Sequence, residues 1–278
     1  MPRNPRELLH MTFQLPGGVS REAEKVLWQR GILTWNDFCL RGRKVFSPGR
    51  TERMLEAIKK AEGLVAACSL RKLIRSAPPI CVLRLGPLLL PQAAFLDIET
   101  AGLAREDPPV TAVVLHRNCL NFFVDSVNLE QLPGRLRPLR LLVTFHGRRF
   151  DLPRLRYHLG LRYRGQHIDL VKLVRACGLK GALKSLLRQM GFPWPEGIPT
   201  AGEDAPRLWN SYRQGDLGAL RCLLAYNAYD VVALPWLWVA LYNWSLRNWP
   251  LFRPLSPPQI PDVPAAVEGW MILHGLKC

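Results

Sequence analysis

Three short stretches of this sequence place carboxylates where they could do chemistry. In Phe95-Leu96-Asp97-Ile98-Glu99-Thr100-Ala101-Gly102-Leu103, the apolar residues at 93 to 96 predict a buried strand that two acids interrupt, two positions apart. Strand positions i and i+2 face the same side, so Asp97 and Glu99 point one way. Two like charges held that close on a core strand cost free energy unless a cation neutralises them. A hard divalent ion such as Mg²⁺ or Mn²⁺ suits oxygen ligands. The plainer alternative is a strand end facing solvent. The second stretch, Leu142-Val143-Thr144-Phe145-His146-Gly147-Arg148-Arg149-Phe150-Asp151-Leu152-Pro153, is a β-rich run ending in a glycine turn, with an acid opening a helix. Taken alone, Asp151 reads as a helix N-cap. The third is Tyr226-Asn227-Ala228-Tyr229-Asp230-Val231. On a helix, i and i+4 share a face, so Tyr226 and Asp230 project together. Alone, this pattern also fits an ordinary helix face.

The elements that must position these residues follow from hydrophobic periodicity. Strand-like runs cover Ala93–Ile98, Val110–Leu115, Leu120–Val124 and Leu141–Phe145. Helical patterns cover Leu152–Leu159 and Lys180–Met190, a third starts at Asp204 with Pro206 in its first turn, and a long one runs from about Asp216. Three short strands followed by alternating strands and helices predict an α/β sheet that begins as an antiparallel meander. The first 75 or so residues read as helical, with Leu27, Trp28, Trp35, Phe38, Met54 and Ile58 at amphipathic spacing. Ala77-Pro78-Pro79, Pro87 and Pro91 predict an irregular or extended linker, and six prolines between 250 and 264 predict an extended or disordered tail.

Composition narrows the partner. The chain has 278 residues, 48% of them hydrophobic, and a net charge of +16. It can bury a sizeable core, and its charge favours a polyanion. The first 75 residues hold 15 basic and 7 acidic side chains, the highest charge density in the chain. Seven cysteines stand at 39, 68, 81, 119, 177, 222 and 278, no two within four residues. That spacing supports neither a zinc knuckle nor a CxxC pair, and reads as reduced thiols in a cytoplasmic protein. No apolar run follows Met-Pro-Arg-Asn-Pro-Arg-Glu, so no secretory signal is visible. The longest apolar stretch, Val231 to Trp244, contains Pro235, Tyr242 and Asn243 and falls short of the roughly 20 residues that span a bilayer, so no membrane role is expected.

Taken in order, the three stretches resemble the DnaQ-like, or DEDD, 3′–5′ exonuclease superfamily on the ribonuclease-H-like fold. The shared pattern is Asp-x-Glu on the first strand, an acid after a glycine turn, and Tyr-x-x-x-Asp on a late helix, which places the match in the tyrosine subclass. The chain is closer still to the YprB-type ribonuclease-H-like domain, through His167-Ile168-Asp169-Leu170, the Leu183–Gly191 helix, Glu196-Gly197-Ile198-Pro199 and Gly215-Asp216-Leu217. The resemblance covers roughly 93–240. It implies a mixed sheet flanked by helices, and the helical pattern of the first 75 or so residues adds a small N-terminal all-α, helix-hairpin-helix-like domain. It further implies two Mg²⁺ or Mn²⁺ ions about 4 Å apart. Asp97 would bridge them, Glu99 and Asp230 would complete one shell, Asp151 would help hold the other, and Tyr226 would orient the attacking water. Thr100, Gly102, Leu103, His146, Phe150, His167 and Asn227 are the expected substrate contacts, with Asp169 behind them. The family's usual Asn-Gly is here His146-Gly147. The imidazole can stand in for the amide as a donor or ligate metal, or it is a turn histidine with no role. Arg148, Arg149, Arg154 and Arg156 could meet phosphates or be solvated charges.

Near the N-terminus, Phe13-Gln14-Leu15-Pro16-Gly17-Gly18-Val19-Ser20 resembles a helix-hairpin-helix turn, whose backbone amides can hold a phosphate. The competing reading is a helical docking module. The expected division is a helical nucleic-acid-binding module over 1–76, a linker over 77–92, a ribonuclease H-like domain over 93–249 and a proline-rich tail over 250–278. The expected activity is a 3′–5′ exonuclease acting on single-stranded DNA or RNA 3′ ends. Its rivals are a structure-specific endonuclease on the same fold and a non-catalytic nucleic-acid-binding protein.

Overall fold

The computed structural model describes residues 7–17, 19–66, 72, 74–75, 77–102, 104, 106–198 and 204–276. Leu103, Gly18, Pro199, Cys68 and Cys278 lie outside the described residues, as does the Met1–Arg6 segment. The chain divides into two compact units, 1–89 with 245–254 and 90–244 with 255–278.

The first unit holds α1 (Glu7–His10), α2 (Arg21–Gln29), α3 (Trp35–Arg41), α4 (Pro48–Ala66), α5 (Pro79–Arg84) and α6 (Gly86–Leu89). Ser20 caps α2 by accepting from the Ala23 amide, and Thr34 with Asp37 forms a capping box on α3. Leu27, Trp35 and Phe38 are fully buried and Trp28 nearly so, which makes them the core of this unit. Glu24 is buried too. Its carboxylate takes two bonds from Arg84, at 2.8 and 2.9 Å, and accepts from the Phe13 and Gln14 amides and the Gln14 side chain. The Arg84 guanidinium lies 5.2, 4.9 and 5.3 Å from the rings of Trp28, Trp249 and Phe252. The turn expected to offer amides to a phosphate therefore has its Phe13, Gln14 and Ala23 amides already engaged.

The second unit is built on a five-stranded mixed sheet of order β3-β2-β1-β4-β5. Its strands are β1 (Ala93–Thr100), β2 (Pro109–His116), β3 (Cys119–Val124), β4 (Leu141–Thr144) and β5 (Gln166–Asp169). β1, β2 and β3 form the expected antiparallel meander, and β4 and β5 join β1 in parallel. Flanking helices are α7 (Leu132–Leu136), α8 (Asp151–Leu159), α9 (Leu170–Ala176), α10 (Leu183–Gln189), α11 (Asp204–Arg213), α12 (Leu217–Ser245) and α13 (Val263–Leu273). Ala94, Leu96 and Ile98 of β1 pack on one sheet face with Leu132 and Leu136 of α7 and Leu155 of α8. This is an α/β, ribonuclease H-like arrangement of a mixed sheet between helices.

Two regions differ from expectation. Residues 77–92, read as an irregular linker, contain α5 and α6, with Cys81, Leu83 and Leu85 fully buried. Pro79 sits at the start of α5, where its missing N–H costs nothing. The proline-rich tail is only partly extended. Leu255 exchanges two hydrogen bonds with the Asn243 side chain, and Asp262 caps α13, whose Trp270 packs against Phe122 of β3. α12 is the long helix expected from about Asp216, with 29 residues running through Pro235. By length and composition it could cross a membrane, yet 83% of its most apolar window is buried inside the protein.

Candidate active site

β1 alternates. Its even-numbered residues from Ala94 to Ile98 enter the core, so Asp97 and Glu99 fall on the opposite face, where burial is incomplete. A register shift against β2 follows directly, between Glu99 and Thr100. Such an irregularity bends a strand and re-aims its side chains. α12 closes this face. It is apolar nearly all round, as a helix buried on most sides must be, and Tyr226, Asn227 and Asp230 are among its polar insertions. Asp97, Glu99 and Asp230 each offer a carboxylate oxygen within 4.8 Å of the others.

Asp151 arrives from the other side. Thr144 ends β4, and His146 then takes a left-handed φ of 63°, a conformation that asparagine and histidine tolerate better than most residues. Gly147 follows where a Cβ would lie 2.5 Å from the Thr144 Cβ, so glycine is required there. Asp169 braces this turn by accepting from the His146 and Arg148 amides, at 3.0 and 3.2 Å, and from Val171. The chain then enters α8 with Asp151 as the first helical residue, preceded by Phe150. Asp151 is therefore not the N-cap its sequence context suggested. It is buried, and its Oδ1 finds no hydrogen-bond partner among the described residues.

Burial raises each of these acids, and repulsion between them adds to the shift at Asp97 and Glu99. Burial pushes the Asp97 carboxyl well above its usual range, and Asp151, Glu99 and Asp230 add to that. Glu99 is raised in the same way, by burial and then by Asp230. Asp151 is pushed up to about 7, again mainly by burial, although its own amide and that of Ile98 oppose the shift. Asp230 is raised by burial against the pull of Lys184. The Tyr226 hydroxyl is driven far above its usual range by burial and by the neighbouring Asp230, Glu99 and Asp97, so it stays protonated.

The expected substrate contacts divide. Asn227 is fully buried and does not face a substrate: its amide donates to Asp97 Oδ2 at 2.8 Å, while Thr111 of β2 donates to its carbonyl at 3.2 Å. It positions Asp97. His167 bonds Thr144 Oγ1 at 2.9 Å, and burial lowers it to about 4, leaving a neutral imidazole. Thr100 is buried and donates to the Gly102 carbonyl, shaping the turn after β1. A Cβ on Gly102 would lie 2.9 Å from the Asp107 Cγ. Phe150 is half-buried against the core, with the Arg154 guanidinium 3.8 Å over its ring. His146 is exposed. Sequence reasoning missed Lys184 and Thr111. Lys184 lies on α10 and donates to Tyr226 Oη at 2.6 Å and to Asp230 Oδ2 at 3.0 Å. A lone lysine in an amphipathic helix carries no signal of that placement.

These residues suit a hard divalent ion. The donors are oxygens only, three of the carboxylates converge, and the buried Oδ1 atoms of both Asp151 and Asp230 lack a partner among the described residues. A cation would favour the ionised form of all four carboxyl groups that burial raises, and would relieve the repulsion that adds to it at Asp97 and Glu99. A search of curated proteins finds no significant match to the chain. The sequence model of the RNase H superfamily matches residues 94–242, which run from β1 into α12 and take in all four carboxylates, Lys184 and Tyr226. Because that match covers more than half of the chain and falls on the sheet and the acids just described, the chain belongs to the ribonuclease H superfamily, a grouping whose chemistry is metal-dependent cleavage of nucleic acid.

Proposed function

We propose that the protein is a 3′–5′ exonuclease of the DEDD type, in its tyrosine subclass and close to the YprB-type domain. It would act on single-stranded DNA or RNA 3′ ends with two Mg²⁺ or Mn²⁺ ions. The observation that carries this reading is the convergence of Asp97, Glu99 and Asp230 within 4.8 Å, with Tyr226 one turn before Asp230 on the same helix. Bound ions would supply the positive charge that offsets negative charge building at phosphorus and on the leaving oxygen, and would lower the pKa of the attacking water. Asp97 would be shared between the ions, Glu99 and Asp230 would hold one, and Asp151 would help hold the other.

The chain's own residues do the rest. Asn227 fixes the carboxylate plane of Asp97 through its 2.8 Å bond. Tyr226 keeps its proton at neutral pH, which supports a role in orienting water through a hydrogen bond rather than removing its proton. Asp169 holds the His146–Arg148 turn, and so the entry of Asp151 into α8. The basic N-terminal residues are assigned to grip phosphates through surface charge, because amides flanking their glycine turn are engaged within the protein.

The test is digestion of 5′-labelled single-stranded DNA and RNA oligomers with Mg²⁺ or Mn²⁺, beside Asp97→Ala. The expected result is a ladder shrinking from the 3′ side, abolished by EDTA and absent in the variant. A circular single strand should remain intact, and its linearisation would assign internal cutting instead.

A further inference from the structure

Lys184 places an ammonium inside the carboxylate cluster. Its Nζ donates to Tyr226 Oη and Asp230 Oδ2, lies 3.8 Å from the centroid of the Tyr226 ring, and lies 5.1 Å from that of Trp194. Its charge opposes the repulsion that Asp97, Glu99 and Asp230 exert on one another. One ammonium cannot neutralise four carboxylates, so the cluster still attracts cations. It also occupies one oxygen of Asp230 while Oδ1 of the same carboxylate has no partner among the described residues. The lysine side chain is 18% exposed, so its flexible stem has a way out to solvent.

We propose that Lys184 is the built-in counter-ion of this site: it holds Asp230 and Tyr226 in place before a divalent ion binds, competes with that ion, and leaves the cluster when the ion arrives. This rests on the metal-dependent nuclease reading. Lys184 is a positioning residue here, since it acts through Asp230 and Tyr226.

The experiment is calorimetric titration of Mn²⁺ into the full chain without nucleic acid, for wild type, Lys184→Met and Lys184→Arg. Alongside it, Mg²⁺ titration is followed by the tryptophan emission that Trp194→Phe removes. Lys184→Met should bind Mn²⁺ about tenfold tighter, the effect of deleting one nearby unit charge at the effective dielectric of a half-open site. Lys184→Arg, which keeps the charge, should stay close to wild type. Saturating Mg²⁺ should change the Trp194 signal in wild type as the ammonium leaves its ring. Equal or weaker binding by Lys184→Met overturns the proposal, and so does a Trp194 signal that Mg²⁺ does not move. If Lys184→Met fails to fold, the Trp194 measurement on wild type decides alone. Wild type that binds neither ion overturns the nuclease reading, and this role with it. Wild type that binds the ions but lacks the Lys184 effects overturns this role only.

Discussion

Glu24 and Asp97 are both carboxylates set among apolar neighbours, yet their surroundings are opposite. Glu24 meets a two-pronged guanidinium, two amides and a side-chain amide, so both oxygens are satisfied within the protein. Asp97 meets one amide, from Asn227, and three other acids whose charges raise it. A buried charge with internal partners is a structural joint. A buried charge surrounded by its own sign is unstable in isolation and makes sense as part of a site for a cation. Ion pairing thus closes the charge balance at Glu24 in the helical unit, while in the sheet unit the single ammonium of Lys184 faces several acids.

The largest effect should come from breaking the closed pair. Glu24→Ala strands the Arg84 guanidinium in the core, and chemical denaturation should show a loss of about 3–5 kcal/mol. A loss below about 1 kcal/mol would mean that the pair contributes little and the contrast with the sheet unit is weak. Next comes pH. Asp151 is raised from its ordinary 3.8 to about 7, so its contribution to stability is full below about pH 4 and is lost as pH rises through 7. Without divalent ions, stability should fall by on the order of a few kcal/mol between pH 5 and pH 8, with Asp97 and Glu99 acting in the same direction. Saturating Mg²⁺ should flatten that slope, and a metal-free melt that rises with pH would refute the account of mutual repulsion. Asp97→Asn removes one of the repelling charges. In EDTA it should match or exceed wild-type stability, by about 1 kcal/mol, while nuclease activity falls on the order of a thousandfold. The smallest change is expected from His146→Asn. The left-handed φ of 63° suits asparagine as well as histidine, so stability should shift by less than about 0.5 kcal/mol. A large loss of activity with unchanged stability would instead assign the imidazole a contact with substrate or metal.

Much of the sheet unit was legible in the sequence because its signals are local. The strand limits expected at Ala93–Ile98, Val110–Leu115 and Leu120–Val124 differ from those observed by at most two residues at either end. Alternation on β1 put Asp97 and Glu99 on one face, and a four-residue step put Tyr226 and Asp230 on another, since strand and helix periods follow from backbone geometry alone. Other readings failed where long-range packing overrode local preference. Prolines predicted irregular chain at 77–92, yet Cys81 and Leu83 are buried in a helix and Leu85 is buried at its C-terminal end. Asp151 looked like a cap and proved to be the first helical residue, with an oxygen lacking a partner among the described residues.

The amino-acid order by itself determined which residue types recur at strand and helix spacing, and hence the acids available for chemistry. Only the tertiary structure decided that Asn227 turns inward to Asp97 across 130 positions of sequence, and that Lys184 reaches Asp230 across 46. Both contacts join elements that no local rule pairs. Their free energy comes from the low-dielectric space enclosed between β1 and α12, which exists only once the chain has folded.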